Sequence, residues 1–214
     1  DKYYSGNRPN GVYIPRFRNV KGQDEDVDFL RGYGYQGGAR RLGWKDMAAQ
    51  TGGFGADFKN SLKKPGPWLI YLAGFGEHLP SAKNRMTLDD KLVDSFGIPQ
   101  VKFDAAFHEN EFKMRKDIAK QGENMLKAAG AGLVGSFIGS GPPGAGIHEM
   151  GTARMGNDPA ESVLNKWNQA HEVPNLFVTD GACMTSSSCV NPSITYMALT
   201  ARAVDYAVKQ LQEG

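Results

Sequence analysis

The stretch AGLVGSFIGSGPPGAGIHEMGTARMG, residues 131–156, constrains this chain more than any other. Glycine recurs in it too often for a helix or a strand to persist. Whatever regular structure the chain builds must therefore stand on either side of this connector. Its last part, HEMGTARMG (148–156), puts one histidine at the head of a turn held open by Gly151 and Gly156. A loop of this kind either closes a surface corner or presents its imidazole to something.

The flanks are better patterned. Residues 109–129 place Phe112, Met114, Ile118, Ala119, Met125, Leu126 and Ala129 roughly on one face before Gly130, which predicts a helix. Residues 192–212 predict a second, with Asn191 as its N-cap and Pro192 at its first position. Upstream, GVYIPRF (11–17) reads as a short strand and VDFLRGYGYQGG (27–38) as a strand running into a glycine turn. Residues 39–65 look irregular, with one helical turn at 56–62. The segments 67–80, 84–90 and 99–107, joined by short turns, predict one antiparallel sheet. Gly74 and Gly76 in the first of them mark a bulge or a close backbone approach. After the connector, 162–182 reads as strand, turn, strand, with NLFVTDG resembling a buried parallel strand. The expected fold class is α+β.

Composition narrows the function. Lys and Arg number 25 against 23 Asp and Glu, with no long block of one sign, so nothing favours nucleic acid or an anionic membrane as partner. No apolar run approaches the ~20 residues of a membrane-spanning helix. Cys183 and Cys189 are the only thiols; they read as two small buried side chains rather than a disulfide framework or part of a metal site, and no metal is expected. The chain opens Asp1-Lys2-Tyr3-Tyr4, with neither an initiator Met nor an apolar leader. It reads as a processed protein, an excised domain or an expression fragment.

The polar groups of the last third fall in a suggestive order: His148 in the glycine loop, Asp180-Gly181 at a segment end, Asn191 at a helix start. Each has a plain structural explanation when taken singly. Together, a helix N-terminus beside such a segment end offers free backbone N–H groups and partial positive charge, which suits an anion or a developing negative charge. A reduced flavin and a phosphate would both satisfy it.

HEMGTARMG, NLFVTDGA and CVNPSITYMALTARAVDYAV, in that order, resemble the C-terminal part of the glucose–methanol–choline (GMC) oxidoreductases, nearest the branch of pyranose oxidase, gluconate and fructose dehydrogenases and FAD glucose dehydrogenases. The likeness is dense over 146–212 and looser over NRMTLDDKLVDSFGIPQVKFD. It implies that residues 1–145 form a substrate-binding domain. It also implies that 146–214 form an active-site loop and a strand–helix segment returning to complete an FAD-binding domain. The resemblance makes His148 and Asn191 the catalytic pair, and Asp180, Gly181, Pro192 and Ser193 the cofactor-binding positions. It implies FAD as cofactor, a sugar or sugar acid oxidised at a CH–OH group by hydride transfer to flavin N5, and an electron-acceptor subunit as a candidate partner. Histidine suits the task, since its unperturbed pKa of ~6.5 lets it take a hydroxyl proton at neutral pH.

One element of such an enzyme is missing. No G-x-G-x-x-G stands between an early strand and helix; GYGYQGG, GGFGADF and GSGPPGAG all fail the spacing or context. The resemblance puts the nucleotide-binding half upstream of Asp1, so the chain alone is expected to bind FAD weakly, to be inactive and to leave an apolar face uncovered. Two other readings stand beside this one. A hydrolase would use Cys183, Cys189 or Ser186–Ser188 with His148, but no G-x-S-x-G elbow is present. A non-catalytic carbohydrate-binding module would use Trp44, Trp68, Tyr71 and Phe75 as stacking platforms, although aromatics at this density more often form core.

Overall fold

The computed structural model describes residues 11–213; residues 1–10, the start of the polar opening segment, lie outside them. In chain order the regular elements are β1 (Gly11–Ile14), β2 (Tyr33–Arg41), α1 (Trp44–Thr51), α2 (Gly55–Ser61), β3 (Trp68–Gly76), β4 (Arg85–Val93), β5 (Pro99–Asp104), α3 (Glu109–Ala128) and α4 (Ser193–Glu213). The class is α+β, with small antiparallel sheets and four helices.

The principal core forms where α3 crosses the sheet β1-β2-β3. Tyr33 and Tyr35 project from one face of β2 by strand alternation, and both are fully buried with Val27, Phe29 and Met114. Their rings meet edge to face, with centroids 5.6 Å apart. The helix can sit this close because β3 offers no side chain beneath it. A Cβ on Gly74 would lie 2.1 Å from Ile118 Cγ2, and one on Gly76 2.3 Å from Met114 Sδ. This is the close approach that the two glycines announce in the sequence. Asp117 of α3 then ties in the preceding loop. It receives Arg18 Nε and Nη2 at 3.0 and 3.2 Å and the Tyr33 hydroxyl at 2.5 Å.

Several sequence expectations are corrected. The segments 67–80, 84–90 and 99–107 do not share a sheet. β3 turns back to pair with β2 along its whole length, from Tyr33↔Gly76 to Arg41↔Trp68, while β4 and β5 form a separate hairpin. The glycines of 34–38 do not end β2 but lie inside it. A Cβ on Gly34 would meet the Ile14 carbonyl at 2.7 Å and one on Gly37 the Tyr71 carbonyl at 2.0 Å, so glycine here permits close neighbouring backbones rather than a turn. Residues 39–65 contain two helices, α1 and α2, instead of one turn. The start of α1 is secured by Asp46, whose carboxylate accepts from Gly43 N at 3.0 Å. Residues 162–182 hold isolated bridges, Leu164↔Ala170 and Gln169↔Phe177, and no strand. The turn at Asn165–Ala170 satisfies one side of this segment through Ala170 N→Leu176 O (2.9 Å) and Val178 N→Asn168 O (3.0 Å), and no second strand lies alongside.

The surface is unusually large. The chain exposes 15500 Å², whereas area scaling gives about 9,700 Å² for a compact protein of its mass. Many large hydrophobic side chains are exposed. On α4 the buried or half-buried side chains Tyr196, Leu199, Ala203 and Tyr206 face the chain's own loops. Ile194, Met197, Ala201, Val204, Val208 and Leu211, spaced three and four apart, form an exposed stripe. A helix apolar on both faces is the pattern of a buried helix.

The core predicts an alkaline limit to stability. Burial, and for Tyr33 also the carboxylate of Asp117, pushes both tyrosine hydroxyls above the ordinary value near 10, Tyr35 to about 12. In the unfolded chain both lose their protons from about pH 10, where the folded chain still holds them, so stability falls as pH rises from there. Each tyrosine should contribute a slope of about 1.4 kcal/mol per pH unit. Denaturant titrations between pH 9 and 12 should show this fall, and Tyr35→Phe should make it shallower.

Candidate functional site

Two loop segments, one of them carrying a single 3-10 turn, meet at the site. The loop 148–156 lies along residues 180–184 through Ala153 N→Ala182 O (3.0 Å) and Met155 N→Cys183 O (2.9 Å). Beneath them is a second core of Leu164, Ala170 and Cys183, flanked by Met155, Val178, Met184 and Leu199 of α4. Gly151 adopts φ +89°, a conformation that favours glycine. Gly181 is needed for a different reason: a Cβ there would stand 2.6 Å from Met150 Sδ and 3.2 Å from the Glu149 carbonyl, against the backbone of the histidine loop itself. Asp180 begins the short 3-10 turn Gly181–Cys183 and accepts from Ala182 N at 3.0 Å.

His148 sits half-buried at the head of this loop. The residue before it, Ile147, is held at φ +57°, a costly conformation for a β-branched side chain. That backbone twist brings the Ile147 carbonyl to 2.8 Å from His148 Nδ1. A carbonyl can only accept, so Nδ1 carries the proton. The other ring nitrogen, Nε2, is 2.9 Å from the side-chain amide oxygen of Asn191, 43 residues further along the chain.

Asn191 is free to do this because it is not the N-cap. The carbonyl of Pro192 accepts from Thr195 N at 2.9 Å and Tyr196 N at 3.4 Å, which makes Pro192 the capping residue and Ser193 the first of α4. The expected cap is thus displaced by one position, and the carboxamide turns to His148 and, through Nδ2, to Gln36 Oε1 at 3.5 Å. Pro192 is buried, and the Ser193 hydroxyl bonds the Tyr196 hydroxyl at 2.8 Å. The loop leading to Asn191 is moored to the sheet: Ser186 donates to Glu77, which also faces Arg31 at 3.8 Å.

All six residues singled out in the sequence therefore lie on connected segments. The structure adds Gln36 of β2, which no local pattern marks. The other histidines lie outside this site: His78 faces Glu111 at 3.8 Å, the His108 backbone N–H donates to Glu111 at 2.9 Å, and His171 Nε2 meets Ser162 Oγ at 3.0 Å. Cys183 and Cys189 are free and buried, and burial pushes the Cys183 thiol up, away from the thiolate a nucleophile needs. Ser186 is committed to Glu77. The hydrolase reading has no nucleophile paired with His148.

Comparison with known proteins agrees with this geometry. The family model described as GMC oxidoreductase matches residues 80–200. The chain belongs to the GMC oxidoreductase family. The 2-methyl-1,2-propanediol dehydrogenase of Mycolicibacterium austroafricanum is 35% identical over 89% of this chain and 35% of the relative's length. The fructose dehydrogenase large subunit of Gluconobacter japonicus is 29% identical over 94% of the chain and 36% of its own length. The gluconate 2-dehydrogenase flavoprotein of Pantoea cypripedii is 23% identical over 78% and 30%. The chain thus spans about a third of the length of these curated relatives. Such matches are to alcohol and sugar oxidoreductases and do not favour a non-catalytic carbohydrate-binding module.

GMC oxidoreductases are generally FAD-dependent. The residues present fit that group. The N–H groups of Ser193 and Ile194, which open the 21-residue α4 two residues from Asn191, precede the first intrahelical bond at Thr195, and such neutral donors suit an electron-rich ring edge.

Gly181→Ala tests the packing that carries the histidine loop. The Met150 sulfur can swing aside but the Glu149 carbonyl cannot, so the substitution should cost about 1–3 kcal/mol, read as a lowered denaturant midpoint.

Proposed function

We propose that this GMC chain contributes the substrate side and the proton acceptor of an FAD-dependent enzyme that oxidises a CH–OH group of a sugar or sugar acid. The observation that carries the reading is the 2.9 Å contact between His148 Nε2 and Asn191. In the neutral ring, the Ile147 carbonyl keeps the proton on Nδ1, leaving the lone pair on Nε2. A substrate hydroxyl entering between Nε2 and the Asn191 amide gives its proton to His148, while the amide N–H holds the oxygen as negative charge develops on it. The bound flavin supplies the hydride acceptor at N5. Pro192 and Ser193 at the start of α4, together with Asp180, are the residues that would hold the flavin, through the backbone N–H donors that open the helix and a carboxylate acceptor. Gly181 acts by admitting the histidine loop.

In this proposal residues 1–145 are the substrate-binding part and 146–214 the active-site loop and return segment. A nucleotide-binding domain outside these residues covers the exposed stripe of α4. The lengths of the relatives and the surface excess support that organisation. The large-subunit name of the fructose dehydrogenase relative supports a partner subunit, to which this proposal gives the role of electron acceptor. Among the described residues, no helix is long and apolar enough to cross a membrane.

Two outcomes follow. In the flavin-loaded enzyme, His148→Ala should slow flavin reduction by substrate about 10²–10⁴-fold, and Asn191→Ala should lower the same stopped-flow rate; unchanged rates in both would refute the assignment. The chain of residues 1–214 alone should show only weak flavin binding by absorbance titration, because it lacks most dinucleotide contacts; tight one-to-one binding would contradict the proposed organisation.

A further inference from the structure

We infer that Gln36 is a positioning residue that lets the Asn191 carboxamide present either end to His148 as the ring gains or loses its proton. The inference rests on the catalytic reading of that pair and extends it to β2. Gln36 is half-buried in mid-strand, opposite Tyr13 on β1 and the small Ala73 on β3, and its Oε1 lies 3.5 Å from Asn191 Nδ2. The sequence Ile147 carbonyl, imidazole, Asn191, Gln36 is thus a row of hydrogen-bonding groups with one fixed end.

The fixed end dictates the rest. With Nδ1 donating to Ile147, a neutral ring has only an acceptor at Nε2, so Asn191 must present its NH2 there and its oxygen to position 36. Gln36 must then donate. When Nε2 gains a proton, both amides turn by half a rotation: Asn191 offers its oxygen to Nε2 and its NH2 to the oxygen of Gln36. The positions in the structure are those of this second arrangement. A glutamine serves both arrangements because one end of its amide donates and the other accepts. No residue with a single role does so.

Most charged groups on the elements meeting here are engaged elsewhere, among them Asp180 with Ala182 N at 3.0 Å and Arg41 with the Gly66 carbonyl at 2.8 Å. Glu149 accepts from Gly146 N at 3.2 Å, Glu77 holds Ser186 and faces Arg31, and Arg40 pairs with Asp46 at 2.9 Å. Arg154 on the histidine loop is exposed, and residues 184–192 carry no charged side chain.

The test uses the flavin-loaded full-length enzyme. Gln36→Glu can only accept when ionised, which holds the Asn191 oxygen on Nε2 and favours the proton-bearing ring. The acid limb of the kcat/KM–pH profile and the His148 ring 15N NMR titration should both move up by about one pH unit, and the NMR shift should shrink at least threefold in an Asn191→Ala background. Gln36→Met, of similar volume, should lower kcat at least tenfold with little change in KM. An NMR titration unmoved by Gln36→Glu, or moved equally with and without Asn191, would overturn the inference, as would a wild-type kcat in Gln36→Met. Failure of the catalytic reading is separable. His148→Ala would then leave flavin reduction intact while the ring signals still answered to position 36.

Discussion

A hydrogen bond between neighbours in the chain, from His148 Nδ1 to the Ile147 carbonyl at 2.8 Å, sets the character of the whole site. It exists because Ile147 is held in the left-handed region at φ +57°, which an isoleucine does not adopt unaided. The loop that follows it is held by its own contacts. Loop 148–156 is hydrogen-bonded to residues 180–184, Gly181 lets Met150 and Glu149 approach, and the Leu164–Cys183 core supports both segments from below. That carbonyl keeps the proton on Nδ1 and, in the proposed reading, leaves Nε2 to act.

The second requirement is that Asn191 arrive at the same place. Its loop has no regular structure, yet it is held at both ends. Pro192, with no N–H to satisfy, accepts the first bonds of α4 and is buried; Ser186 is moored to Glu77 on the far side. A conventional N-cap asparagine would have spent its side-chain oxygen on its own helix. Moving the cap one residue along releases the carboxamide, and the same shift leaves the first N–H groups of the helix close by. Loop, cap and helix start thus form one unit, although each looks ordinary alone.

Much of this was legible in the sequence, and the exceptions share a cause. Gly74 and Gly76 announce a close approach that α3 makes through Ile118 and Met114, and Gly130 ends α3 where the pattern stops. His148 and Asn191 could be paired because ordered motifs, not spacing, singled them out. What failed was partnership between distant segments. The sequence of β3 contains nothing that prefers β2 to β4. The glycines of β2 look like a turn until the carbonyls of Ile14 and Tyr71 are seen beside them. NLFVTDG has the composition of a buried strand, but a strand also needs a neighbour, and here the Asn165–Ala170 turn takes its bonds. Gln36 was invisible for the same reason, since only the fold carries a mid-strand amide to residue 191.

The uncovered side of α4 follows from the same arithmetic of partners. Tyr196, Leu199, Ala203 and Tyr206 suffice to seat the helix on its own loops. Nothing in that seating requires Ile194, Met197, Val204, Val208 and Leu211 to be apolar, and in water each raises the free energy of an exposed helix rather than lowering it. Spaced three and four apart over the helix, they form a continuous seam. A side chain that brings no benefit where it stands makes sense only against another surface. The seam begins at the first N–H groups of the helix, near Asn191, so whatever covers it also closes one side of the site. In the proposed reading, exclusion of water from the His148–Asn191 pair and burial of α4 would then be a single event.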